Sequence, residues 1–113
     1  MKSRPVPTRR VSKAQEKKVA KLMNGRVQSN SGATPFLKGD VVTDKFLIEC
    51  KTVMKPQTQV TIKKEWFTKN EEERFAMKKD YSAVVFDFGD NDDQFIAMKL
   101  KDFNLLMIEG NFE

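Results

Sequence analysis

The chain has 113 residues, of which 39% are hydrophobic and 33% charged, and a formal net charge of +5, values that fit one small domain. No apolar run approaches the roughly 20 residues needed to span a bilayer, and no apolar segment follows the basic start, so we expect a cytoplasmic protein without a secretory signal. One cysteine and no histidine exclude disulfide frameworks, zinc ribbons and catalysis by an imidazole base.

Positive charge is concentrated at the start of the chain. Residues 1–26 contain nine lysines and arginines against the single acid Glu16, whereas residues 27–113 have a net charge of −3. A basic segment is typical of proteins that approach phosphate backbones, because each neutralised phosphate releases a counterion. A solubilising basic tail is the alternative. Residues 1–10, which include two prolines, are predicted to be a disordered arm before a single domain at 11–113.

The first predicted element is a helix over 12–23. Ser12 and Gln15 have the form of a capping box, and Asn24–Gly25 is a common helix stop. Three apolar residues follow Glu16 at steps of three, four and seven, so this acid lies on the apolar stripe of the helix. It is either a boundary residue that bends out to water or a group placed over a site.

Alternation and turn residues predict the remaining elements. These are a short extended piece at 26–29, strands at 39–43 and 46–51, a helix at about 61–79, strands at 81–88 and 94–100, and a closing helix at 101–108. The helix at 61–79 has an irregular apolar stripe and a possible break near Asn70. Its Trp66 and Phe67 are interpreted as core or dimer contacts rather than a base-stacking surface. The order α-β-β-β-α-β-β-α predicts an α/β (α+β) domain with a central mixed sheet flanked by helices.

The strand at 46–51 carries a candidate catalytic group. Because side chains alternate along a strand, Glu49 and Lys51 project from one face about 7 Å apart, while Cys50 and its apolar neighbours project from the other. Asp40 opens the preceding strand, and a tight hairpin places it beside Glu49. The alternative without a function is an exposed Glu-Lys pair on a half-solvated strand.

Two carboxylates and one lysine suit metal-assisted phosphodiester hydrolysis. Asp40 and Glu49, helped by the backbone carbonyl of Cys50, are predicted to hold Mg²⁺, for which Mn²⁺ is expected to substitute. The metal activates a bound water and withdraws charge from the phosphate. Lys51 would orient the attacking water or stabilise the charge of the transition state.

These residues resemble the motif of the PD-(D/E)XK nuclease superfamily, an acid on one strand and acid-any-lysine on the next. The matching residues are Gly39-Asp40 and Glu49-Cys50-Lys51, with Glu16 at the position of the helical acid. More narrowly, 31–41 and 46–52 look like the small Holliday junction resolvases of archaea and their relatives in phages. Gly39 departs from the proline that names the superfamily.

The resemblance implies a restriction-endonuclease-like core and a role for each residue. Glu16, Asp40 and Glu49 would be metal-site acids, Lys51 the catalytic lysine, and Ser31 a contact to the DNA backbone. It also implies a homodimer whose two sites cut symmetric strands of a four-way junction, acting in recombination or repair in the cytoplasm of a bacterial or phage-infected cell.

The sequence therefore predicts a Mg²⁺-dependent endonuclease, most simply a Holliday junction resolvase. The alternatives are a nuclease of the same chemistry acting on nicked, flapped or linear duplex DNA, and a non-catalytic nucleic-acid binding protein. The basic residues expected to contact DNA phosphates are Arg9, Arg10, Lys13, Lys17, Arg26, Lys38, Lys55 and Lys63.

Overall fold

The computed structural model describes residues 8–28, 40–89 and 93–112. In these residues the helices are α1 (Thr8–Met23), α2 (Lys64–Ala76) and α3 (Leu100–Glu109). The strands are β1 (Arg26–Val27), β2 (Val41–Val42), β3 (Phe46–Lys51), β4 (Tyr81–Phe86) and β5 (Phe95–Ala97). No helix in the described part of the chain is long and apolar enough to cross a membrane.

The strands form one sheet in the order β1-β2-β3-β4-β5, which confirms the predicted α+β fold with a mixed sheet and flanking helices. β3 and β4 are parallel, and the other neighbours are antiparallel. Parallel neighbours need a crossover connection, which α2 provides here. All six residues of β3 pair with β4, from Phe46 opposite Tyr81 to Lys51 opposite Phe86. β3 is therefore the central strand.

One face of the sheet packs on α1 and α3. Val19 and Ala20 of α1 are buried in a cluster with Ile48 of β3, and Met23 packs against it. These apolar residues are the stripe predicted from the sequence, and burying each large one contributes roughly 1.5–3 kcal/mol. α3 adds only Leu106 to this core and has no fully buried residue. The face with α1 is therefore the main core, and α3 covers it loosely.

α2 is held to the opposite face by polar contacts. The buried Asn70 donates its side-chain amide to the carbonyl oxygen of Ala83 at 3.1 Å, and Ser82 Oγ donates to Glu71 Oε2 at 2.9 Å. α2 is shorter at both ends than the predicted 61–79 and is unbroken at Asn70. The apolar stripe is irregular because these bonds to β4, rather than apolar burial alone, fix the helix.

The beginning of α1 differs from the sequence prediction. The helix begins at Thr8, so Ser12 and Gln15 lie inside it and the predicted capping box is wrong. No proline or glycine lies between Thr8 and Ser12, so nothing in this segment prevents the helix from beginning four residues before the predicted start. Residues 8–10 are helical rather than part of an arm, and residues 1–7 lie outside the described residues.

The end of α1 is the one predicted. Asn24 has a positive φ of 54°, and the amide of Gly25 donates to the carbonyl oxygen of Ala20 at 2.8 Å. A Cβ at Gly25 would lie 2.5 Å from the carbonyl oxygen of Val42, so only glycine allows this approach. The end of α1 is thereby fixed against β2, and this contact sets the position of Glu16 in the helix.

Candidate active site

A two-residue turn brings Asp40 beside the second half of β3. β2 and β3 are antiparallel, with Val41 opposite Ile48, and the amide of Asp40 donates to the carbonyl oxygen of Ile48 at 3.0 Å. Thr43 closes the turn, because its Oγ1 accepts the amide N–H of Phe46 at 3.0 Å. The tight hairpin predicted from the nine-residue spacing is confirmed.

The carboxylate of Asp40 is half-buried in a negative environment. Its Oδ2 accepts the backbone N–H of Cys50 at 2.7 Å. Burial above all, and then the charge of Glu49, raise the pKa of Asp40 from 3.8 to about 7, against the lowering effect of the Cys50 N–H. Glu16 raises this pKa too, and Lys51 lowers it. Asp40 is therefore a strained acid whose ionised form a nearby cation would stabilise.

The helical acid Glu16 belongs to the same group. Burial, followed by the charge of Glu49, raises the pKa of Glu16, whereas Lys13 lowers it. Burial also raises the pKa of the Cys50 thiol, and the charges of Asp40, Glu16 and Glu49 raise it further. α1 and the β2–β3 hairpin thus bring Glu16, Asp40 and Glu49 close enough for their charges to interact.

Lys51 lies at the end of β3, on the face covered by α2. Its Nζ is 3.4 Å from Glu49 Oε1, and about 29% of the side chain is exposed. The same Nζ lies 4.5 Å from the centroid of the Trp66 ring. Glu49, Lys51 and Trp66 line a cleft of about 460 Å³, which Lys69 and Asn70 also border. Glu49 and Lys51 share one face, as predicted, but they are partly buried rather than an exposed pair.

A buried glutamine ties α1 to the end of β3. Gln15 is 1% exposed, and its Nε2 donates to the carbonyl oxygen of Lys51 at 2.9 Å and to Gln94 Oε1 at 3.1 Å. Its Oε1 accepts the hydroxyl of Thr52 at 3.0 Å. Gln94 Nε2 in turn donates to the buried Asp87 at 2.9 Å. This network fixes the backbone on which the candidate lysine stands.

Sequence reasoning missed the roles of Gln15 and Trp66. Gln15 stands four residues before Val19, so it lies on the buried stripe, and this spacing was a signal for burial. Trp66 had no such signal, because its contact with Lys51 depends on how the crossover helix lies over the sheet. It is neither a core residue nor a freely exposed one.

The basic residues predicted to contact DNA are on the surface wherever they are described. The exposed ones are Arg10, Lys13, Lys17, Arg26, Lys55 and Lys63. Ser31, Lys38, Gly39 and the side chain of Arg9 lie outside the described residues. Lys13 stands close enough to Glu16 to affect its pKa, which places positive charge from α1 at the edge of the acid group.

The donor set suits a small, hard cation. In residues 8–28, 40–89 and 93–112, no three side chains of the types histidine, cysteine, aspartate and glutamate are grouped so that they could hold a metal ion. Mg²⁺ usually binds one or two carboxylates and completes its shell with water and substrate oxygens. Asp40 and Glu49 are two such donors, close enough for the charge of Glu49 to raise the pKa of Asp40, and the backbone N–H of Cys50 is bonded to Asp40. This pair, rather than a cage of three acids, fits Mg²⁺.

Comparison of the chain with protein-family models, with curated proteins and with solved structures gives no match.

Proposed function

We propose that the protein is a metal-dependent DNA endonuclease that hydrolyses phosphodiester bonds. The observation that carries the proposal is the half-buried carboxylate of Asp40, which accepts the Cys50 N–H at 2.7 Å and interacts electrostatically with Glu49, Glu16 and Lys51. A half-buried carboxyl whose pKa is raised to about 7 by burial and like charges is unfavourable as a merely structural feature. Such perturbed groups are concentrated at functional sites.

Each residue has a role that follows from its contacts. Asp40 and Glu49 would hold Mg²⁺ or Mn²⁺, with the carbonyl of Cys50 and the side chain of Glu16 beside them. The chemistry that a bound Mg²⁺ supplies is activation of a water molecule and withdrawal of charge from a phosphate. The Cys50 N–H orients the carboxylate of Asp40. Lys51 offers a compact positive charge to a phosphate oxygen or to the attacking water.

We further propose DNA as the substrate, and a four-way junction in particular. Lys13 of α1 acts on Glu16, and other lysines and arginines of α1 and β1 are exposed; phosphate contacts from such residues supply much of the affinity of DNA-binding proteins. The motif's resemblance to junction resolvases supports the branched substrate.

A homodimer is part of the same proposal. α3 and the short segment after it expose large apolar side chains, namely Leu100, Phe103, Leu105, Ile108 and Phe112. Exposed apolar surface of this extent is typical of protein interfaces. Sedimentation of the wild type as a dimer, and of Phe103→Lys as a monomer, is the expected result.

The function is tested on a panel of labelled four-way junction, nicked, flapped and linear duplex DNA, each with Mg²⁺ and with chelator. Paired symmetric nicks in the junction alone, lost with chelator, support the resolvase. Equal cutting of the linear duplex supports a nuclease of the same chemistry with a different substrate. Salt-sensitive binding without cutting of any substrate supports a non-catalytic binding protein and contradicts the proposal.

Metal binding is tested separately by calorimetric titration of the free protein with Mn²⁺. We expect heat of binding for the wild type and for Asp44→Asn, a control that removes an acid from the exposed hairpin turn. Asp40→Asn should abolish most of this heat. Equal binding by Asp40→Asn and the wild type would show that the assigned acids do not hold the metal.

A further inference from the structure

Lys51 is held from two sides by groups of different chemistry. Glu49 Oε1 lies 3.4 Å from Nζ, and the ring of Trp66 presents its face to the same Nζ at 4.5 Å from the centroid. A distance within about 6 Å of an indole face is a cation–π contact, for which tryptophan is the best aromatic partner. The ammonium is thus placed by a carboxylate and by a neutral ring.

We propose that Trp66 is a positioning residue for the catalytic ammonium of Lys51. The inference rests on the proposed function. A ring face attracts the ammonium without taking a proton from it and without occupying its N–H groups in strong hydrogen bonds, so these groups stay available to a phosphate or a water. Glu49 alone cannot hold the ammonium in this way. It is also an assigned metal ligand, and its negative charge would be shared with the bound cation.

The position of the ring is fixed by the fold. Trp66 and Asn70 are four residues apart and lie on the same face of α2. Asn70 is 2% exposed and donates its side-chain amide to the carbonyl oxygen of Ala83, the β4 residue paired with Ile48 of β3. This buried bond holds the first turns of α2 over the end of β3, where the ring meets the lysine.

The backbone of Lys51 is fixed by the hydrogen-bond network of Gln15. Gln15 donates to the carbonyl oxygen of Lys51 itself at 2.9 Å. The backbone of the lysine and the ring that faces its ammonium are therefore anchored independently, one to α1 and the other to β4. A flexible four-carbon side chain between two fixed points needs little further ordering when substrate binds, which is the benefit of preorganisation.

The contact is tested first without any measurement of activity. Protons above an aromatic face shift upfield, so the Hε signals of Lys51 in a protein labelled with ¹³C-lysine should lie upfield of those of the other lysines. They are assigned by their loss in Lys51→Met. We expect the shift to disappear in Trp66→Leu, to weaken in Trp66→Phe, and to persist in Phe75→Leu, which removes an exposed aromatic ring from the same helix.

Cleavage kinetics test the positioning. Trp66→Leu should lower kcat about five- to thirtyfold, the range that corresponds to a partly desolvated cation–π contact, with KM within about twofold of the wild type. Trp66→Phe should recover part of the loss, and Phe75→Leu should cut at the wild-type rate. A rise in KM with unchanged kcat would assign Trp66 to DNA binding and overturn the inference.

The proposed role of Trp66 and the proposed endonuclease function are contradicted by different results. If the Lys51 signals of the wild type lie among those of the other lysines, the inference is wrong whether or not the protein cuts DNA. If the shift is present but the wild type cuts no DNA, the proposed function fails, while the hold of the ring on the ammonium stands. If the shift is present and Trp66→Leu cuts at full kcat, the ring does not position the lysine for the reaction.

Discussion

Replacing Asp40 with asparagine should stabilise the free protein at neutral pH while removing its proposed function. The carboxyl has a pKa of about 7 in the folded protein against 3.8 as an ordinary side chain. Between these values the folded state holds a proton that the unfolded state has released. The stability that this proton provides is complete below about pH 4 and is lost as the pH rises through about 7.

The magnitude follows from the size of the shift. Three pKa units at about 1.4 kcal/mol each correspond to roughly 4 kcal/mol of unfolding free energy, and solvent screening of the half-buried group reduces this to about 2–4 kcal/mol. Asparagine is neutral at every pH, and its side-chain oxygen accepts the Cys50 N–H as the carboxylate does. Asp40→Asn should therefore gain this amount at pH 8 and almost nothing at pH 4.

The assay is urea denaturation followed by circular dichroism at pH 4 and pH 8, in chelator and at one protein concentration. Asp44→Asn is the matched control, because it removes the same charge from the exposed turn. It should show no pH-dependent gain. An equal effect of Asp40→Asn at both pH values, or a loss of stability at pH 8, would refute the reasoning that the acid group is electrostatically strained.

Two further predictions follow from the contacts of α1. Gln15→Leu should lower the unfolding free energy by about 2–3 kcal/mol in urea, because it removes the hydrogen bonds of the buried glutamine to the Lys51 carbonyl oxygen and the Thr52 hydroxyl. The exposed control Gln59→Leu should change it little. The double variant Lys13→Ala, Lys17→Ala should weaken DNA binding and make the slope of log K against log salt shallower by about two, as measured by fluorescence anisotropy. Lys78→Gly, which removes an exposed lysine just after α2 at a positive φ, should leave that slope unchanged, and an equal change there would contradict a DNA-binding face on α1.

The hairpin was predictable because its signals are local. The alternation in Phe46–Lys51 assigns each side chain to a face, and the nine residues from Asp40 to Glu49 allow only a tight turn. Glu16 was found in the same way, from its position on a helical stripe. In each case the separation of the residues along the chain determines their relative positions, because they belong to one helix or to one hairpin.

The remaining parts of the site depend on contacts between distant elements. Gln15 meets Lys51 across 36 residues, and Trp66 reaches the same lysine only because α2 crosses from β3 to the parallel β4. No period in the sequence encodes either contact. The break expected in α2 near Asn70 was wrong for a related reason, since Asn70 is buried through a bond to β4 that a hydrophobic pattern does not register.

The most direct test of the proposed site is the single-turnover rate of cleavage of a labelled four-way junction as a function of Mg²⁺ concentration. We expect a rate that rises with Mg²⁺ and saturates in the wild type and in Asp44→Asn. In Asp40→Asn we expect a loss of at least two orders of magnitude, on the general scale for removal of a group that acts at the reacting centre, with junction binding retained. Cleavage by Asp40→Asn at the wild-type rate, or cleavage by the wild type in chelator, would contradict it.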